Sequence, residues 1–196
     1  VSKEPPEPIE EVAPDQKPEG DNVVWIPGYW AWDPEAEDFL WVSGFWRDTP
    51  PDRHWVPGAW HSAEGGWQWV NGFWSAEDEE DIPYLPPPPE TLERGPTTPA
   101  PSAQSFYVAG CWIWRETRYA WRPGVWMAYR TGWTWCAARY VWTPAGCVFV
   151  EGHWDHALHE RALLFAPIRV ERRVLVRKWT YTPRYVLDCG ALLGAL

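Results

Sequence analysis

The sequence lacks most features that mark enzymes and membrane proteins. It has one methionine, and no apolar run is long enough to cross a bilayer. It has no glycine-rich phosphate loop, no Gly-x-Ser-x-Gly turn and no cysteine–histidine pair in a nucleophile context. The acidic cluster at 77–81 lies in a segment that we expect to be unstructured, a poor place to tune a carboxylate pKa. We therefore predict a protein without enzymatic activity and without a cofactor.

What the chain has in abundance is tryptophan, with 19 residues, 13 of them in one recurring pattern. The pattern aromatic-x-x-Gly-x-aromatic occurs eight times in two sets of four, with starts 14 residues apart except for one step of 16. Such a period marks a repeat architecture. The motif residues are Trp25, Gly28, Trp30, Trp41, Gly44, Trp46, Trp55, Gly58, Trp60, Trp69, Gly72, Trp74, Tyr107, Gly110, Trp112, Trp121, Gly124, Trp126, Trp135, Tyr140, Phe149, Gly152 and Trp154, and Ala138 replaces the glycine of the seventh copy.

Side chains alternate within each copy. Aromatic residues recur at every second position, and the second motif position is valine or isoleucine in six of the eight copies. Alternate residues of a strand share a face, so one face carries an aromatic ladder and the other is apolar and β-branched. We predict an all-β fold of repeated short antiparallel hairpins, a meander with a tryptophan-ladder core, in two four-repeat blocks joined by proline-rich unstructured segments.

Asn71-Gly72 is the strongest hairpin signal in the chain. A two-residue turn there would place Trp69 opposite Trp74. Proline precedes the motif glycine in three other copies and cannot take the first position of such a turn, so those copies need a type II turn, a longer loop or a bulge. Each solution favours a glycine with positive φ, and Ala138 would then be strained.

Composition divides the chain into five segments. We predict an acidic proline-rich arm at 1–22, a first repeat block at 23–74, an acidic proline-rich linker at 75–106, a second block at 107–154 and a basic extension with one or two strands at 155–196. Both proline-rich segments should become ordered only when bound, to a partner or to the chain's own blocks. The chain begins without a charged-then-apolar leader, so we expect a processed protein or a fragment of one.

Charge is distributed unevenly. Residues 1–106 carry a net charge of −16 and residues 107–196 a net charge of +6. This asymmetry suggests that the two halves attract each other or face different charged partners. The basic extension continues into a predicted strand or hairpin at 168–181. Its cations are either a solvated face or a patch that docks the acidic half or a neighbouring subunit: Arg169, Arg172, Arg173, Arg177 and Lys178.

The area of the aromatic rings decides their role. Each ring can bury about 150–250 Å², and the fold has to offset the cost of ordering its residues, so most rings should form the core. The alternative is a row of exposed rings that bind sugars or quaternary ammonium groups. The best candidates for such ligand-facing positions lie outside the motif: Trp32, Trp114 and Trp142.

The cysteines and histidines give weaker signals. Cys111 and Cys136 should share the face opposite the aromatic ladder, so we predict the disulfides Cys111–Cys136 and Cys147–Cys189, with buried free thiols as the alternative. None of these cysteines has the Cys-x-x-Cys spacing of a zinc site. On a helix, the spacing of the histidines at 153, 156 and 159 would gather two imidazoles round a metal, but this segment leaves a strand, and we predict no metal site.

The motif resembles that of the bacterial WXXGXW (YXWGXW) repeat proteins, which are abundant in planctomycetes. The segments 152–155, 161–167 and 185–188 are similar to the part that follows the last repeat in those proteins. The resemblance implies a protein that is exported, often with a lipid anchor, and it implies no catalytic role.

Together these features predict a non-enzymatic structural or interaction protein of an exported assembly, in the periplasm, the cell envelope or at the cell surface. Its partners would be other protein subunits or further copies of itself, with cell-wall glycan as another candidate. A carbohydrate- or choline-binding module with exposed tryptophans is the alternative. Because the arginines are dispersed, we expect no nucleic-acid partner, and we expect no transmembrane segment.

Overall fold

The computed structural model describes residues 1–79, 81–161, 168–171 and 178–180. These residues contain nineteen β-strands and one 3₁₀-helix but no α-helix. The strands are β1 Glu10–Val12, β2 Val23–Ile26, β3 Tyr29–Asp33, β4 Asp38–Val42, β5 Phe45–Asp48, β6 Arg53–Val56, β7 Ala59–Ala63, β8 Gly66–Val70, β9 Phe73–Ala76, β10 Ser105–Val108, β11 Cys111–Arg115, β12 Arg118–Arg122, β13 Val125–Ala128, β14 Trp133–Cys136, β15 Arg139–Thr143, β16 Gly146–Val150, β17 His153–His156, β18 Arg169–Glu171 and β19 Lys178–Thr180, and the 3₁₀-helix is Leu158–Glu160. The predicted all-β fold of antiparallel hairpins is confirmed.

Two consecutive motifs form one structural unit, which we call a repeat pair. In repeat pair I (23–48), β3 and β4 form an inner hairpin, and β2 pairs with β5 outside it. The two motifs therefore run antiparallel, and the first aromatic of each faces the last aromatic of the other. Repeat pairs II (53–76), III (105–128) and IV (133–156) have the same nested pairing.

The predicted hairpin turn at Asn71-Gly72 is wrong. These residues join β8 to β9, but Trp69 faces Trp60 and Trp74 faces Trp55, so neither strand folds back on the other. The hairpins turn at 33–38, 63–66, 115–118 and 143–146 instead. The motif glycine thus interrupts a long strand rather than reversing it.

The motif glycine is required by a ring, not by its backbone angle. No motif glycine has a positive φ, contrary to the sequence prediction. A Cβ added at Gly152 would lie 2.6 Å from the Trp135 ring, and one at Gly110 would lie 2.6 Å from the Trp121 ring. In every repeat pair, the first aromatic ring of one motif lies against the glycine of the other, where a side chain would overlap it.

The same contact explains why position 138 can be alanine. Ala138 has no positive φ, so the predicted strain is absent. By the pairing of repeat pair IV, the ring that faces position 138 belongs to Phe149, the one phenylalanine among the eight first aromatics. Phenylalanine lacks the second ring of tryptophan and the hydroxyl of tyrosine, and the missing atoms leave room for a methyl group.

Repeat pairs I and II stack to form the first block, as pairs III and IV form the second. The Trp60 indole donates a hydrogen bond to the Trp30 carbonyl (2.8 Å), and the Tyr140 hydroxyl donates one to the Trp112 carbonyl (2.9 Å) at the equivalent place. All thirteen motif tryptophans are buried or half-buried, as expected if the ladder belongs to the core. One hydrophobic cluster, in the first block, contains Trp30, Phe39 and Trp41 with Ile9, Trp32, Trp60 and Val170 around it.

The second hydrophobic cluster joins the two blocks through their β-branched faces. It contains Val70 and Phe73 of repeat pair II and Val141, Val148 and Val150 of repeat pair IV. Beside it, the buried carboxylate of Asp155 forms ion pairs with Arg47 of the first block and with Arg161 (3.0 Å). This buried ionic contact between the blocks runs from a cation of the acidic half to an anion of the basic half.

The basic extension returns to the first block. Strand β18 pairs antiparallel with β4, and β19 pairs parallel with β1 of the acidic N-terminal segment. At the level of segments, the extension thus lies on the acidic half, through backbone hydrogen bonds.

Candidate peptide-binding grooves on the repeat pairs

The acidic proline-rich segment at the N-terminus lies along repeat pair I. We call residues 1–17 the N-terminal arm. The Trp30 indole donates a hydrogen bond to the Glu7 carbonyl (3.0 Å), and the Trp46 indole donates one to the Pro14 carbonyl (3.3 Å). The arm also reaches repeat pair II, where backbone hydrogen bonds join Val1 and Trp67.

The proline-rich linker lies along repeat pair III in the same manner. We call residues 84–98 the linker arm. The Trp112 indole donates a hydrogen bond to the Glu90 carbonyl (2.9 Å), and the Trp126 indole donates one to the Thr98 carbonyl (3.1 Å). In both blocks, the last aromatic of each motif in the first repeat pair holds the backbone of an arm.

Glu11 of the N-terminal arm lies between the two motif glycines of repeat pair I. Its carboxylate accepts hydrogen bonds from the amides of Gly28 (2.8 Å) and Gly44 (2.9 Å) and from the Trp41 indole (3.3 Å). The donors are available because a glycine amide that interrupts a strand has no ladder partner. Burial raises the pKa of Glu11, and the hydrogen bonds from Gly28, Gly44 and Trp41 offset part of that rise.

Glu93 of the linker arm occupies the matching position on repeat pair III. Its carboxylate accepts hydrogen bonds from the amides of Gly110 and Gly95 (2.7 Å for Gly95) and from the Tyr107 hydroxyl (3.1 Å). The hydrogen bond from Gly110 is the main cause of the lowered pKa of this carboxyl. The two equivalent glutamates are therefore shifted in opposite directions, because burial dominates at one and hydrogen bonding at the other.

The groove that holds the N-terminal arm is apolar. A cavity of about 350 Å³ lies beside Pro5, Pro6 and Pro8, and its walls are Tyr29, Trp30, Trp41, Trp60, Trp67 and Trp69. Grooves lined by aromatic rings are the usual receptors for extended proline-rich peptides, whose stiff backbone loses little entropy on binding. The groove therefore offers three kinds of contact to the N-terminal arm: rings beside the prolines, indole N–H groups for the backbone and glycine amides for a carboxylate.

The three predicted ligand-facing tryptophans differ in exposure. Trp142 is 55% exposed. Trp32 is half-buried against Phe39 (5.1 Å between ring centroids), and Trp114 is half-buried against Tyr119 (4.9 Å). The structure does not bring the three rings together, because each lies on the inner hairpin of a different repeat pair.

The predicted disulfide Cys111–Cys136 is wrong, and the predicted disulfide Cys147–Cys189 extends outside the described residues. Cys111, Cys136 and Cys147 all have free thiols, and Cys189 lies outside the described residues. Cys111 faces Arg122 on repeat pair III, whereas Cys136 faces His153 on repeat pair IV, so the two lie on separate sheets. Burial raises the pKa of the Cys136 and Cys147 thiols.

The three histidines point to different partners. His153 is buried with Nδ1 3.1 Å from the Glu151 carbonyl oxygen, and burial lowers its pKa. His156 stacks on Trp133 with Nε2 3.1 Å from the Thr49 carbonyl oxygen, and His159 is exposed beside Glu160. The described residues contain no group of three side chains that could hold a metal ion.

The predicted basic docking patch is described in part. Arg169 is exposed on β18, and the backbone of Lys178 belongs to β19, opposite Glu10. Arg172, Arg173 and Arg177 lie outside the described residues. In the described part of the chain, no helix is long and apolar enough to span a bilayer.

The sequence alone did not identify Glu11 and Glu93 as site residues. Each stands in an acidic, proline-rich stretch with several other carboxylates, and nothing local distinguishes it. One signal was available: both follow a Pro-Glu dipeptide, at 6–7 and 89–90, by three or four residues. In each arm, the glutamate of that dipeptide is the residue whose carbonyl accepts the tryptophan indole.

Comparison with known families agrees with the repeat pair as the unit. The family described as the WXXGXW repeat (2 copies) matches residues 20–47, 107–127 and 130–155. Each matched segment corresponds to one repeat pair, and repeat pair II has the same strand pairing. No curated protein and no solved structure matches the chain. With its motifs joined two by two in this way, the chain carries the repeat of the WXXGXW repeat family in three matched segments.

Proposed function

We propose that the protein is a non-enzymatic structural and interaction protein whose repeat pairs bind acidic proline-rich peptide segments, in its own chain and in neighbouring molecules. One observation supports this above all. Two segments of different sequence, the N-terminal arm and the linker arm, lie on two repeat pairs through the same two kinds of contact: indole N–H groups to arm carbonyls and a glycine amide to a glutamate carboxylate. A surface that accepts two different segments in one way is suited to accept a third from another molecule.

We further propose that the protein acts in an exported assembly of the cell envelope or surface. The support for this location is the resemblance to exported repeat proteins. Disulfides do not support this location, because Cys111, Cys136 and Cys147 have free thiols, and free thiols are equally compatible with a reducing compartment.

Binding in trans tests the proposal. The probe is a fluorescently labelled peptide with the sequence of residues 1–18, and the receptor is the full chain with Glu11→Ala, whose own arm is weakened. We expect saturable binding by fluorescence anisotropy, and weaker binding to the wild-type chain, because a tethered arm competes at an effective concentration of about a millimolar.

A peptide carrying Glu11→Gln is the matched control. It should bind at least about fivefold more weakly, because both Glu11 oxygens accept hydrogen bonds, whereas the glutamine side chain has one acceptor oxygen and an NH2 group that would face a donor. Absence of saturable binding to the Glu11→Ala chain, or equal affinity for the two peptides, would contradict the proposal.

Binding of carbohydrate or choline remains a second candidate, and the 55% exposure of Trp142 favours it. A single exposed ring offers a stacking platform but not an aromatic cage. Titration of tryptophan fluorescence with cell-wall polysaccharide and with choline separates the two functions. Saturable quenching that disappears in Trp142→Ala would support this second candidate, and no quenching would reject it.

A further inference from the structure

The two motif glycines of repeat pair II present a pair of unused amides. A Cβ built on either Gly58 or Gly72 would lie 2.8 Å from the amide nitrogen of the other, so the two amides lie close together. Neither lies in a strand, and neither has a hydrogen-bond acceptor within the described residues. Motif glycine amides of the same kind donate hydrogen bonds to a glutamate carboxylate in repeat pairs I and III.

Two equivalent sites in the same molecule are filled by a glutamate. Gly28 and Gly44 together hold Glu11, and Gly110 holds Glu93. The pairing of repeat pair II is the same, with Gly58 and Gly72 in the matching positions. In both repeat pairs, the ligand that a motif glycine amide binds is thus a glutamate carboxylate.

The surroundings of Gly58 and Gly72 suit an acidic peptide. They line a groove of about 540 Å³ whose walls include Trp55, Pro57 and Tyr29. Arg139 of the second block lines the same groove, is exposed, and forms no salt bridge in the described part of the chain. A guanidinium beside two free amides favours an anionic ligand.

We propose that this groove binds a glutamate carboxylate from the acidic proline-rich N-terminal segment of a second copy of the chain. The inference rests on the proposed function, since it names the site and the partner for binding between molecules. Residues 4–14 combine prolines with four glutamates, the chemistry that the groove and Arg139 complement. Repeat pair IV is a poorer candidate, because Ala138 replaces one of its two glycines.

Glycine amide signals give a direct test. The full wild-type chain is labelled with ¹⁵N-glycine and titrated with an unlabelled peptide of residues 1–18. Hydrogen bonding to a carboxylate should move the amide proton signals of Gly58 and Gly72 downfield in a saturable manner. The same titration on Arg139→Gln should show about a two- to fivefold loss of affinity, as for an exposed ion pair.

Arg118→Gln is the matched control, since Arg118 is also exposed and lies on the hairpin of repeat pair III. It removes the same charge and should leave the affinity unchanged. The glycine signals in the peptide-free spectra report whether either variant has altered the fold.

Each outcome decides the inference. Saturable shifts at Gly58 and Gly72 that weaken in Arg139→Gln support it. Shifts confined to Gly28 and Gly44 mean that the peptide only displaces the chain's own arm, which overturns this site while supporting the proposed function. No shift at any of the four glycines, or equal affinity in Arg139→Gln, also overturns the site.

Discussion

At the scale of the residue, the contact between a ring and a glycine explains the motif. The first aromatic of each motif lies where the Cβ of the facing glycine position would be, so that position must be glycine when the ring is tryptophan or tyrosine. The exception supports the rule, because Ala138 is the position that faces Phe149. Ring size and the presence of a methyl group are therefore coupled across the pair.

This coupling predicts a partial rescue. Gly152→Ala should destabilise the protein by about 1–3 kcal/mol, because its methyl group overlaps the Trp135 ring. Adding Trp135→Phe should recover part of that loss, since the smaller ring makes room and the Trp135 indole nitrogen has no partner in the described structure. Urea unfolding of both single variants and of the double variant measures the coupling. Additive effects would show that the ring does not impose the glycine.

The two arm glutamates should respond to acid in opposite ways. The pKa of Glu11 is raised in the folded protein, so its protonation stabilises the fold as the pH falls through that value. The pKa of Glu93 is lowered, so its contribution is present above the pKa of an unfolded glutamate and is lost as the pH falls through the lower folded value. The N-terminal arm should therefore stay bound to a lower pH than the linker arm.

Amide signals followed by NMR during a pH titration check this order. The chemical shift of the Gly44 amide should change with a midpoint above the pKa of a glutamate in an unstructured peptide. The chemical shift of the Gly110 amide should change with a midpoint below that pKa. A shared midpoint, or the reverse order, would refute the assignment of burial as the dominant effect at Glu11 and hydrogen bonding at Glu93.

At the scale of the element, the sequence predicted the strands well and their pairing poorly. Alternation is a local property, and each motif does place its aromatics on one face. The Asn-Gly signal at 71–72 is local too, but Gly72 is required by the Trp55 ring, which lies 17 residues earlier in the chain. Turn propensities depend on neighbouring residues only and contain no information on such a contact. The hairpin prediction was therefore wrong at Gly72, whose contact lies far away in the sequence.

The arms show a second limit of sequence reasoning. Their composition predicts segments that need a binding surface. Which surface they use depends on indole N–H groups and glycine amides that become available only after two motifs have paired. The carboxylates of Glu11 and Glu93 are therefore selected by tertiary structure.

At the scale of the whole molecule, the two blocks are held by an apolar face and by one buried ionic contact. Asp155 is 3% exposed, and it pairs with Arg47 across the blocks and with Arg161. Removing the carboxylate would leave two half-buried cations without their partner, which is costly. The charge asymmetry of the sequence did not predict this contact, because the cation, Arg47, belongs to the acidic half and the anion, Asp155, belongs to the basic half.

Asp155→Ala should therefore destabilise the protein by about 3–5 kcal/mol. Glu151→Ala is the matched control: its ion pair with Arg122 is largely exposed, so its loss should cost at most about 1 kcal/mol. Equilibrium urea unfolding of both variants gives the comparison. Equal losses would show that Asp155 is not the carboxylate that joins the blocks.

The central claim is that the repeat pairs bind the chain's own acidic proline-rich arms, and hydrogen exchange of the indole N–H groups tests it most directly. In the wild-type chain, the indoles of Trp30, Trp46, Trp112 and Trp126 should exchange slowly, because each donates to an arm carbonyl. Glu11→Ala should speed exchange at Trp30 and Trp46 alone, and Glu93→Ala at Trp112 and Trp126 alone. Fast exchange of all four indoles in the wild-type chain, or an equal response of all four to either substitution, would contradict the account.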